Sequence, residues 1–249
     1  MTKAMTDTVS ALIEAVNRAD SATGLLDAVE ALAAVPSVEV IDTLIEVLGY
    51  NNPGAAVAAV DGLVAIGEPA VLALLEQFCG HNYTARSWAI RALAGIGDPR
   101  GLPILLTAGM TDFSFSVRRS ATKGLGTVQW QQFLPDLLPL AQQKALEALI
   151  TIARQDEEWV VRYAAIVGLQ AIAPALQTDE HWTVLRAGLE HVQQQEADQA
   201  VLARAYMALD TVKGLLQNKA VFEPTDGSAP LEIDWNTLRQ DLGRVINSG

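Results

Sequence analysis

A chain of 249 residues, half of them apolar, can build one sizeable core, and its net charge of −12 excludes nucleic-acid binding by bulk electrostatics, which needs a basic surface. One cysteine, Cys79, excludes an internal disulfide framework and fits a reducing compartment. Alanine and leucine predominate while aromatic and β-branched residues are sparse, which favours helix over sheet.

The N-terminal stretch MTKAMTDTVSALIEAV lacks the long apolar core and small-residue cleavage site of a signal peptide. No apolar run approaches the roughly 18 residues of a membrane span, so the expectation is a soluble, cytoplasmic protein. Internal repetition then sets the reading. DAVEAL ends at Leu32, and A55-AVAAVDG-L63 follows. The closest copies are A85-RSWAIRA-L93, V117-RRSATKG-L125 and V161-RYAAIVG-L169, with a weaker V201-LARAYMA-L209. From Leu63 onward the closing leucines recur at steps of roughly 30 to 44 residues, the range of helical-pair repeats. Between copies lie short apolar helices such as 66–78 and 96–109. Gly67 and Gly97 supply the turn that stops one helix, and Pro69 and Pro99 start the next. A pair of this kind cannot bury its apolar face alone and must stack. The expected fold is therefore all-α: a HEAT-like solenoid of about five to six stacked pairs over residues 1–217. Residues 126–144 contain Pro135 and Pro139, which interrupt any long helix and stretch the step from Leu125 to Leu169. Residues 218–230 read as a linker. The tail 231–249 opens with a short helix over 231–246, capped by Asp234, that either closes the stack or docks on a partner.

Helical spacing sorts the second helix of each pair. Ala85, Ala89, Ile90, Ala92, Leu93 and Ile96 form a core stripe, and the opposite face carries Arg91 with Trp88 at its edge. The same register places Arg119 and Lys123, then Tyr163 and Val167, in the exposed column, with Tyr83, Phe115 and Trp159 at one equivalent position beside it. Arginine with flanking aromatics suits a planar, conjugated ligand bearing carboxylates. A solvated face is the competing reading. A second column, Arg86, Arg118 and Arg162, tilts toward the core. Asp112 and Asp156 lie six residues before Arg118 and Arg162, a pattern that ties one repeat to the next. Three histidines, His81, His181 and His191, have no helical spacing to carboxylates or Cys79, so no metal site is expected. Cys79 ends an apolar helix and reads as a buried structural cysteine. No phosphate loop, dinucleotide fingerprint or catalytic triad order is present, and no catalytic residue is assigned.

The pattern D-x4-V-R-x-x-A-x-x-x-L in 112–125, with 46–54, 59–67, 82–97 and 111–130, resembles the HEAT-like bilin lyases of phycobilisomes, and most closely the smaller, F-type subunit of the heterodimeric E/F phycocyanobilin lyase. The resemblance covers most of residues 8–210 and leaves the tail unassigned. It implies a subunit, active only with an E-type (α) partner, that attaches a linear tetrapyrrole, phycocyanobilin foremost, through a thioether to a cysteine of a phycocyanin α apo-subunit. The bilin is then the substrate and no cofactor is implied. Tyr83, Trp88, Arg91, Arg119, Lys123, Trp159 and Tyr163 become the candidate bilin-binding residues. An isomerising relative carries Asn-His-Cys-Gln-Gly-Asn where this chain has Cys79-Gly80-His81-Asn82-Tyr83, which favours simple attachment. A protein-only scaffold, a bilin-detaching factor and a lyase for a phycoerythrin subunit are the alternatives.

Overall fold

Apolar side chains at helical spacing give each segment one buried stripe, and the computed structural model shows how those stripes are covered. It describes residues 3–78, 82–217 and 233–244. Cys79, His81 and the expected linker 218–230 lie outside the described residues. Among the described residues there are thirteen α-helices and no strand.

The chain divides into two compact units, Met1–Ile96 and Gly97–Gly249. In the first, α1 (Lys3–Arg18) pairs with α2 (Ala22–Ala33), α3 (Ile41–Val47) with α4 (Pro53–Ile66), and α5 (Val71–Phe78) with α6 (Tyr83–Ile96). The second helices α2, α4 and α6 lie side by side. In the second unit the pairs are α7 (Leu102–Thr111) with α8 (Phe115–Gly126), α9 (Leu138–Gln155) with α10 (Trp159–Ile172), and α11 (Asp179–Gln195) with α12 (Gln199–Gln217). Here α7, α9 and α11 form one layer, and α8, α10 and α12 the other. The fold is thus the expected one of stacked helical pairs, six in number among the described residues, with three in each unit.

Local sequence explains where helices stop. Gly67 and Gly97 adopt φ of 76° and 71°, conformations that side-chain-bearing residues rarely adopt, and they end α4 and α6. Pro69 and Pro99 sit in short 3₁₀ turns, Glu68–Ala70 and Pro99–Gly101, that lead into α5 and α7 rather than beginning those helices themselves. Pro139 does not interrupt a helix. It occupies the first turn of α9, where its missing N–H costs nothing. The stretched step holds a 3₁₀ turn at Trp130–Gln132 and a first helix, α9, of 18 residues against 10 in α7.

The core follows the sequence stripe. Ala85, Ala89, Ile90, Ala92, Leu93 and Ile96 are all buried, as are Val117, Ala121 and Leu125 on α8 and Val161, Ala165 and Leu169 on α10. The helices α8 and α10 meet at glycine: a Cβ on Gly126 would lie 2.5 Å from the Cα and carbonyl oxygen of Gly168. Both obstacles are backbone, so nothing flexible can give way. This approach sets α8 directly beside α10.

The tail helix α13 (Trp235–Arg244) begins as its sequence suggests. Asp234 accepts hydrogen bonds from the Asn236 and Thr237 amides at 3.1 Å each. The helix packs on α7, on the first-helix layer of the second unit.

Gly126→Ala should lower stability by about 1–3 kcal/mol through overpacking. Gly214→Ala in α12, where an added Cβ meets nothing within 4 Å, should raise it by about 0.5–1 kcal/mol. Urea unfolding midpoints at unchanged slope test the opposite signs.

Candidate functional site

Three acids end the first helices of the second unit: Asp112 follows α7, Asp156 follows α9 and Glu196 follows α11. Each turns its carboxylate onto its own loop, accepting from the amides of Ser114, Glu158 and Asp198 at 2.8–2.9 Å. Two of these pre-oriented carboxylates then hold the arginine of the preceding repeat. Arg118 donates to Asp156 through Nε at 2.7 Å and Nη2 at 3.0 Å, and Arg162 donates to Glu196 at the same two distances. The remaining Nη1 of each arginine caps the loop six residues upstream. Arg118 reaches the carbonyls of Asp112 and Phe113, and Arg162 those of Asp156 and Glu157. A guanidinium beside a helix C-terminus also suits the negative end of the helix dipole. Each bridge joins repeat to repeat by a bidentate, charge-assisted pair.

The ladder therefore runs in a different register from the simplest reading of the spacing. The acid six residues before an arginine gives it a backbone carbonyl, and the next repeat's acid supplies the charge. Glu196 escaped sequence reasoning because it is Glu rather than Asp, and because Leu202 replaces arginine six residues later. The signal was its place, five residues before Val201, matching Asp156 before Val161. Hydrogen bonding and charge from Asp156 raise the Arg118 pKa, and Glu196 raises that of Arg162 in the same way. The reciprocal hydrogen bond holds the Glu196 carboxyl below its ordinary value of 4.5. Arg86 belongs to the first unit, with its guanidinium 5.2 Å from the ring centre of Tyr83 and 5.8 Å from that of Phe78.

With Arg118 and Arg162 tied down, their neighbours point outward. On α8 the exposed residues include Phe115, Arg119 and Lys123, four apart on one face. Beside them on α10 are Trp159, Tyr163 and Val167, the first two 45% and 37% exposed. On α12 the same positions hold Gln199, Ala203 and Met207. Arg119 and Lys123 make no ion pair or side-chain hydrogen bond among the described residues. The second unit thus presents two unpaired cations on one helix, two exposed aromatics on the next and the uncharged Gln199, Ala203 and Met207 beyond. Of the seven candidate residues, Arg119, Lys123, Trp159 and Tyr163 are placed together here.

Tyr83, Trp88 and Arg91 lie on α6 in the first unit. The Arg91 guanidinium stands 5.4 Å from the Trp88 ring centre, a cation–π contact. The column changes sign along this unit. The positions equivalent to Arg91 on α4 and α2 are Asp61 and Glu30, which line a cleft of about 250 Å³ with Ala33, Gly54, Val57 and Ala58. The register of Arg91 is therefore acidic on α2 and α4. Among the described residues no three metal-ligating side chains converge, and no single helix is long and apolar enough to cross a membrane.

Comparison with known proteins matches residues 9–84 and 81–170 to the HEAT repeats. The chain is 46% identical over 208 residues to the phycocyanin alpha phycocyanobilin lyase CpcF of Synechocystis sp., covering 84% of this chain and 96% of that protein. It is 60% identical over 172 residues to the phycocyanobilin lyase subunit beta of Pseudanabaena tenuis, covering 69% of this chain but 61% of that protein. A chain in the solved complex of CpcE and CpcF of phycocyanin lyase from Nostoc sp. superposes with a TM-score of 0.64 at 45% identity, covering 69% of this chain and 99% of that one. The chain belongs to the phycocyanobilin lyase beta-subunit family, a family of HEAT-repeat proteins.

Arg118→Ala strands the Asp156 carboxylate and should cost about 3 kcal/mol, a melting-temperature drop of roughly 6–12 °C. An unchanged melting temperature would remove the ladder role. The Glu196 pKa is lowered on folding, so its contribution is complete above its ordinary value of 4.5 and is lost as pH falls through the folded value. Arg162→Ala should therefore make stability less steep in pH below that point, measured by urea unfolding across a pH series.

Proposed function

We propose that this chain is the beta subunit of a two-chain bilin lyase, working with an E-type subunit to attach phycocyanobilin through a thioether to a cysteine of the phycocyanin α apo-subunit. The observation that carries this reading is the match to almost the whole length of a chain from the CpcE–CpcF complex. The exposed face of the second unit supports it chemically. A linear tetrapyrrole has two propionates and a conjugated ring system. Arg119 and Lys123 offer charge to the propionates, and Trp159 and Tyr163 offer flat surfaces to the pyrroles. In the first unit Arg91 and Trp88 provide a second such pairing.

The reaction is a net addition of S–H across a double bond. The thiolate's electron pair forms the sulfur–carbon bond at the ring A ethylidene, the displaced π pair moves into the conjugated system, and that system takes up a proton. Nothing is oxidised or reduced, so the bilin as substrate requires no additional redox cofactor. The role of this chain is to hold the pigment in one orientation against the acceptor, and the rate gain comes from positioning. Such chemistry fits a cytoplasmic protein acting on apo-subunits before antenna assembly.

The test is co-expression with an E-type partner, a bilin source and the apo-α subunit, read as covalent fluorescence on a denaturing gel. Arg119→Ala removes about 1.5 kcal/mol of charge-assisted hydrogen bonding, so bilin retention should fall about tenfold and adduct yield with it, at an unchanged melting temperature. Normal adduct formation would remove Arg119 from the site. Free-bilin absorption that stays unshifted when both subunits are added would favour a protein-only scaffold.

A further inference from the structure

The proposed ligand face occupies the second-helix layer of the C-terminal unit. The first-helix layer carries a different feature, the seat of α13. The 3₁₀ turn after α8 brings Trp130 and Phe133 together, stacked with ring centres 5.5 Å apart and an interplanar angle of 23°. Both are nearly fully buried. Trp235, at the start of α13, lies against Phe133 with ring centres 5.9 Å apart. Leu238 and Leu242 follow on the same face of α13 and are buried, with Ile233 just before the helix. At the rim, Arg239 donates to Asp136 at 2.6 Å. The pattern seated here is Trp-x-x-Leu-Arg-x-x-Leu.

Four observations distinguish this seam from the permanent core. A helix of ten residues is too short to be stable in water by itself, so α13 exists because it is capped and docked. Its ion pair is solvent-exposed, with Arg239 49% and Asp136 66% accessible, and such pairs hold weakly. The indole N–H of Trp130 is buried without an acceptor among the described residues, so the seam is not fully satisfied. The docked segment is also joined to the last repeat through fifteen residues, 218–232, and so is separate from the stack in sequence.

From this we infer that Trp130, Phe133 and Asp136, with α7, form a docking groove for a short amphipathic helix of the pattern Trp-x-x-Leu-Arg-x-x-Leu, and that the tail is its exchangeable occupant. The partner that fits is a helix presenting an aromatic and two leucines on one face with an arginine set to meet Asp136. It binds by displacing α13, on the layer opposite the ligand face, so both surfaces are available at once. The inference does not depend on the bilin reading.

The probe is a fluorescent peptide of residues 231–246, titrated into the full-length chain and into full-length Leu238→Asp/Leu242→Asp, whose tail cannot dock. The variant should bind the peptide at least about tenfold more tightly than the unmodified chain, where the tail competes in cis. Adding Asp136→Arg should weaken binding, and a peptide carrying Arg239→Asp should recover it. Equal binding by both chains, or no binding by a variant with intact helical content, overturns the inference. Hydrogen exchange on the unmodified chain decides the matter independently of how the variant folds. Amides of 238–244 should exchange by an opening that leaves α9 and α10 protected, and exchange only with global unfolding overturns the proposal.

Discussion

Pairing each arginine with the carboxylate of the next repeat is the constraint on which the second unit depends. Apolar burial turns the stripe of each helix inward and so sets its rotation only to within the width of that stripe. The pair Arg118–Asp156 fixes that rotation, because a guanidinium bound through two nitrogens tolerates little turning. Once it is fixed, Arg119 must face outward and Val117 inward, and the same logic sends Tyr163 out beside Arg162. The exposed face proposed to hold the pigment follows from the ladder: Arg118 and Arg162 are tied down, and Arg119 and Tyr163 beside them are thereby displayed.

The glycine contact acts with it. Gly126 and Gly168 let two backbones approach where side chains would hold them apart. The outward residues of α8 and α10 therefore come from directly adjacent helices, with cations on the first and aromatics on the second. Every member of the face sits on a regular helix, so its geometry is set by packing and not by loops.

Much of this was legible in the sequence because helical periodicity is a local property. The core stripe of α6 could be read from spacing alone, and so could the exposure of Arg119 and Lys123. What escaped depended on non-local neighbours. Which carboxylate meets which arginine is decided only when repeats stack, and Glu196 became visible only then. Asp61 and Glu30 occupy the register of Arg91 in plain view, yet their consequence, a column that changes sign, requires α2, α4 and α6 to lie side by side. The seat of the tail was the least legible. Arg239 and Asp136 are 103 residues apart in sequence, and no periodicity links them.

The covalent attachment of α13 gives its seat a particular response to concentration. Docking within one chain is unimolecular and does not change on dilution, whereas a competing helix supplied by another molecule is subject to mass action. The groove is thus closed by default and closes again whenever a competitor becomes scarce. A partner tethered nearby through a contact elsewhere escapes that dilution, so the seat favours molecules already assembled with this chain over those met by chance.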